Sequence, residues 1–126
     1  MENNPVAWFE IYVDDLQRAR DFYESVFVVS LEKLGDPTDS GIEMLSFPSD
    51  MEKYGATGAL VKMDGFNAGG NSTLVYFSCE DCAIEESRVK AAGGTIQQSK
   101  TSIGEYGYIS TVIDTEGNMI GLHSSI

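Results

Sequence analysis

Apolar and polar positions alternate with period two, then recur at helical spacing, then alternate again, and this whole cycle runs twice along the chain. Val6 to Val13 reads as a strand, with Trp8, Glu10 and Tyr12 on one face and Phe9, Ile11 and Val13 on the other. Asp14 ends it and is the expected N-cap of a helix over residues 15–27. That helix is marked by Leu16, Ala19, Tyr23 and Val26 at helical spacing, widened by Phe22 and Phe27. Strands are expected near Val28–Leu34, Gly41–Phe47 and Thr57–Met63, broken by Gly35-Asp36-Pro37 and Pro48-Ser49-Asp50. The Gly- and Asn-rich stretch Asp64–Asn71 reads as a linker.

The second cycle has a strand at Thr73–Cys79 and a helix over residues 82–92 ending at Gly93-Gly94. Strands follow at Thr95–Thr101, Tyr108–Asp114 and Met119–Ser124, the last two joined by a turn at Asp114-Thr115-Glu116-Gly117. Val13-Asp14-Asp15-Leu16 aligns with Cys79-Glu80-Asp81-Cys82 at a shift of 66 residues. The order predicts an α+β chain of two βαβββ modules in tandem, about 5–64 and 72–126 with a linker at 65–71. Neither module buries an apolar face alone, so the two are expected to pack as a single domain over residues 1–126.

Composition narrows the partners. At 126 residues the chain suits one domain with a real core. Eight basic residues against 20 acidic ones give a net charge of −12, a field that repels nucleic acid and anionic lipid and attracts small cations. No membrane span and no secretory leader are expected from the apolar runs. Cys79 and Cys82 are the only cysteines, which reads as a reducing, cytoplasmic setting rather than a disulfide framework. Their C-x-x-C spacing stands at a strand–helix junction, but Glu80 and Asp81 between them are expected to raise the thiol pKa values and disfavour redox work. No phosphate-binding loop or serine nucleophile elbow is present.

Three segments carry a family resemblance: V-D-D-L-Q-R-A-R-D-F-Y-E-S-V-F at Val13–Phe27, A-A-G-G at Ala91–Gly94, and I-D-T-E-G-N-M-I-G-L-H at Ile113–His123, the last preceded by G-E-Y-G-Y. Together they resemble the vicinal-oxygen-chelate superfamily of glyoxalases, extradiol dioxygenases, fosfomycin-resistance enzymes and bleomycin-binding proteins, in particular a bacterial branch related to lactoylglutathione lyase. The resemblance implies two cupped mixed sheets wrapping a cavity. It also implies a dimer, and in many members a divalent metal that acts as a Lewis acid. The four metal-ligand positions of the family fall here on Trp8, Ala59, Leu74 and Gly121, none of which offers a side-chain donor for a cation. No metal or other cofactor is therefore expected.

Glu10 and His123 each lie two residues beyond a lost ligand position, hence on the same face. They form a candidate acid–base pair if they hydrogen-bond, and a thin metal site otherwise. Glu105 and Tyr106 are further candidates at the mouth of the cavity, and Trp8, Tyr12, Phe47, Tyr76 and Tyr108 are candidate ligand walls. Three functions follow as expectations: a metal-independent lyase or isomerase, a bleomycin-type protein that sequesters a cationic small molecule, and a metal enzyme with shifted ligands.

Overall fold

The structure is a computed structural model that describes residues 3–35 and 41–126. Asp36 and Pro37 of the expected first break lie outside the described residues. The element order is β1 (Trp8–Tyr12), α1 (Leu16–Phe27), β2 (Glu32–Leu34), β3 (Glu43–Ser46), β4 (Thr57–Lys62), β5 (Tyr76–Ser78), α2 (Cys82–Val89), β6 (Thr95–Ser102), β7 (Tyr108–Ile113) and β8 (Met119–Ser124), with a single 3-10 turn at Gly104–Tyr106. Two mixed four-stranded sheets result, ordered β1-β4-β3-β2 and β5-β8-β7-β6. In each, the first strand runs parallel to the last and the other pairs are antiparallel. This is the tandem βαβββ arrangement expected from the pattern.

The repeat extends to the caps. Asp15 and Asp81, 66 residues apart, both take an extended backbone and cap α1 and α2 through their side chains, bonding the amides of Arg18 and Ala83. Asp14, expected to cap the first helix, instead accepts from the amide of Ala68 in the linker. The run expected as a strand from Val28 begins only at Glu32. Val28 closes α1 in the left-handed conformation at φ 53°, its amide bonded to the carbonyl of Glu24. β5 is likewise shorter than expected, and α2 ends at Val89, followed by a turn in which Gly93 takes φ 99°.

The core lies between the helices and the inner faces of both sheets. Ala19, Phe22, Tyr23 and Val26 of α1 pack with Leu45, Leu60, Val89, Val112, Ile120 and Leu122. Phe77 of β5 inserts among first-module aromatics, 4.6 Å from Phe27, 5.4 Å from Phe47 and 5.8 Å from Phe9 between ring centres. Gly94 closes the same seam, because a Cβ there would sit 2.6 Å from the Phe22 ring and 2.5 Å from the Ile113 carbonyl. β1 and β5 are thus the inner edge strands of the two sheets, held side by side by packed aromatic rings.

The D-T-E-G-N turn joins the modules a second time. The Glu116 side chain is fully buried. It accepts from the amides of Asp14 and Asp15 at 3.0 and 2.8 Å, and from Arg18 at 2.6 and 2.9 Å. Burial alone would raise its pKa, but Arg18, the two amides and Thr115 overcome it and hold the carboxyl at about 2. Tyr23 donates to Asp114 at 2.7 Å in the interior. Asn118 donates to the Tyr12 carbonyl and accepts from the Gly69 amide, and Asn71 bonds both the amide and the carbonyl of Met119. The linker is therefore pinned rather than loose. Among the described residues no helix is long and apolar enough to cross a membrane.

Candidate functional site

A cleft of about 760 Å³ opens between β1, β5 and the pinned linker. Its position follows from strand parity. Phe9 and Ile11 pack with the core and also border the cleft, while Trp8, Glu10 and Tyr12 alternate with them on the other face of β1 and line it. From the second module come Leu74, Tyr76 and Met119. Trp8 and Tyr76 remain 42% and 46% exposed, a large apolar surface to leave against water.

Glu10 is organised by its neighbours. Its two carboxylate oxygens accept from the Trp8 indole N–H at 3.2 Å and the Tyr12 hydroxyl at 2.9 Å. The Tyr12 pKa is raised, by burial first and then by the Glu10 carboxylate beside it. Tyr12 also stacks on Phe66, ring centres 5.3 Å apart, which closes that end of the wall. Among the residues that line the cleft Glu10 is the only charged one.

The structure separates Glu10 from His123. His123 lies further along β8 and does not line the cleft. Its Nε2–H donates to the Tyr106 carbonyl at 2.7 Å, pinning the 3-10 turn to the strand. No hydrogen bond joins Glu10 to His123, which have different partners: Trp8 and Tyr12 for Glu10, the Tyr106 carbonyl for His123. Glu105 and Tyr106 belong to that turn, also outside the cleft.

Two of the expected walls are elsewhere too. Phe47 is buried in the core against Phe9, Tyr23 and Phe77. Tyr108 packs against the core and lies under the Lys100 ammonium, 4.7 Å from its ring centre. Trp8, Tyr12 and Tyr76 do meet in the cleft. Asn71 and Asn118, which hold the linker wall in place, were not legible from motif reading.

The residues present do not fit a divalent cation. Trp8 and Leu74 line the cleft without a donor, and Ala59 is fully buried beside Glu10 in the strand register. Gly121 lies under the Tyr76 ring, where a Cβ would come within 2.2 Å of a ring carbon, so a longer side chain would have to displace that ring. Among the described residues no group of three or more His, Cys, Asp or Glu side chains could hold a metal. Cys79 and Cys82 are free, Cys82 buried. Burial first, and Glu85 next, push the Cys79 thiol up to about 12, the expected direction with a different main cause.

Paired βαβββ modules with a cleft beside their inner strands define a glyoxalase-like domain. The chain belongs to the Glyoxalase/Bleomycin resistance protein/Dioxygenase superfamily, whose profile matches residues 6–122. Among solved structures it is similar to glyoxalase I from Zea mays, with 21% identity and a TM-score of 0.75 over 96% of this chain. It spans only about half, 46%, of that protein. It is also similar to a glyoxalase-related enzyme from Fulvimarina pelagi, with 17% identity and a TM-score of 0.71, covering 98% of this chain and 88% of that one. TnmS3, an antibiotic binding protein from Streptomyces sp. CB03234, has 24% identity and a TM-score of 0.65, covering 98% of both chains. At these identities the likeness shows the fold. No curated protein matches the sequence.

Proposed function

We propose that the chain is a metal-independent binding protein. In this reading the inter-module cleft holds a small organic molecule with a flat conjugated body and a cationic or N–H-rich end. One observation carries the reading: Glu10, the only charged residue lining the cleft, is held by the neutral donors of Trp8 and Tyr12, in a cleft that Trp8, Tyr12 and Tyr76 also line. A cation there meets a carboxylate with no competing ammonium or guanidinium among the lining residues, and an exposed ring beside it adds about 0.5–1 kcal/mol. The cleft volume lies within the range of small-molecule sites. The net charge of −12 draws cations toward it. That the Streptomyces neighbour is an antibiotic binding protein is in keeping with capture as a use of this fold.

Turnover through a Glu10–His123 pair has no such support, because the two groups bond to different partners. Two free cysteines fit a reducing cytoplasm, and association with a second copy is carried over from the resemblance.

Trp8 is the only tryptophan, so its indole N–H gives one cross-peak in a ¹H–¹⁵N spectrum and reports directly on Glu10. Titration with benzamidine, a planar cation, is expected to shift that peak saturably. Benzamide, its neutral counterpart, is expected to bind at least about tenfold more weakly, equivalent to about 1.4 kcal/mol. Glu10→Gln is expected to abolish the preference. Equal responses to the two probes, or a preference that survives Glu10→Gln, would refute the reading.

A further inference from the structure

We infer that the Tyr76 hydroxyl is a second polar anchor of the cleft, so that the ligand class is a conjugated molecule with a cationic or N–H end for Glu10 and an oxygen acceptor for Tyr76. The inference rests on the binding reading above and adds to it the polarity of the ligand's other end.

The repeat places the two groups. Glu10 and Tyr76 are 66 residues apart, the same offset that separates the helix caps Asp15 and Asp81. Each stands on the inner edge strand of its module, opposite a minimal residue on the neighbouring parallel strand: Glu10 opposite Ala59, Tyr76 opposite Gly121. Equivalent positions of the two modules thus present a carboxylate on one side of the cleft and a phenol on the other. Gly121 lets the Tyr76 ring rest directly on the β8 backbone, since any Cβ there would meet the ring.

Several of the cleft's other polar groups are already committed, while Asn67, Ser72 and Thr73 of the linker wall also line it. The Tyr12 hydroxyl is committed to Glu10. Asn118 is engaged with Gly69, Tyr12 and Asp114, and Asn71 with Met119 and Thr73. The Tyr76 hydroxyl, by contrast, has no hydrogen-bond partner among the described residues, and its side chain is half exposed. A carboxylate accepts only, so it selects donors. A phenol can donate as well as accept, so beside an acceptor-only carboxylate it is the group that offers a donor to a ketone, amide or ether oxygen. A molecule that lies across both inner strands satisfies the two at once.

The test compares benzamidine with 4-acetylbenzamidine on the full chain and its variants, read on the Trp8 indole cross-peak. In the native protein the acetyl oxygen is expected to tighten binding about fivefold to tenfold, as one added neutral hydrogen bond does. Tyr76→Phe keeps the ring on Gly121, and the rest of the spectrum reports whether the fold is kept. It is expected to erase the difference between the two probes, and Glu10→Gln is expected to weaken both. An acetyl gain that persists in Tyr76→Phe, or no gain in the native chain while benzamidine still binds through Glu10, overturns the role of Tyr76 alone. If neither amidine shifts the peak, the binding reading falls, and this inference with it.

Discussion

Replacing Glu116 by glutamine exposes what the seam between the modules contributes. The native carboxylate is buried and accepts four hydrogen bonds from the other module, two from backbone amides and two from Arg18. Glutamine keeps one acceptor and turns a donor toward a donor on Arg18. The carboxyl pKa stands at about 2 against an ordinary 4.5, and about 1.4 kcal/mol goes with each tenfold change in proton affinity. The charged form is therefore favoured on folding by about 3 kcal/mol. A depressed folded-state pKa contributes stability that is complete above the unfolded value and lost as pH falls toward the folded one. The contribution is whole at pH 7, falls to less than half by pH 3, and is nearly gone at pH 2. Urea denaturation of both proteins checks this. Glu116→Gln should be about 3 kcal/mol less stable at pH 7, and the gap should narrow to less than half of that, about 1.4 kcal/mol, at pH 3. A gap under about 1 kcal/mol at pH 7, or one that does not change with pH, would refute the reasoning.

Other outcomes follow from single contacts. Tyr23→Phe strips Asp114 of a buried 2.7 Å hydrogen bond and should cost about 1.5–3 kcal/mol by urea denaturation. Gly121→Glu, which restores a carboxylate at a family ligand position, should cost about 1–3 kcal/mol by driving into the Tyr76 ring, and adding Tyr76→Ala should recover part of that loss. Strict additivity of the two changes would contradict the packing described. Cys79 should react with iodoacetamide at pH 8 about a hundredfold more slowly in the native protein than in urea, because its thiol is pushed up to about 12 when folded. Equal rates would refute the shielding of its thiol.

Local signals in the sequence were enough to place the first helix, the repeat and the cleft-facing side of β1. Ala19, Phe22, Tyr23 and Val26 all carry their spacing into the core, and Trp8, Glu10 and Tyr12 share a face as alternation requires. Alternation fixes a face but not a position along it. His123 has the parity of Gly121, yet two residues along a strand is about 7 Å, enough to leave the cleft. Phe47 is an aromatic at strand spacing whose face belongs to the core, which only the arrangement of α1 over the sheet decides. The Glu116 seam joins residues about a hundred apart in the chain, beyond any local pattern. Tyr76 was legible as an aromatic wall, but its packing on Gly121 needed the β5–β8 register.

The most direct test of the central claim is the benzamidine titration repeated in excess chelator and then in the presence of zinc, nickel or manganese, followed on the Trp8 indole. The account predicts the same saturation curve in every condition, with the site lost only in Glu10→Gln. Binding that appears only when one of these ions is added would contradict it.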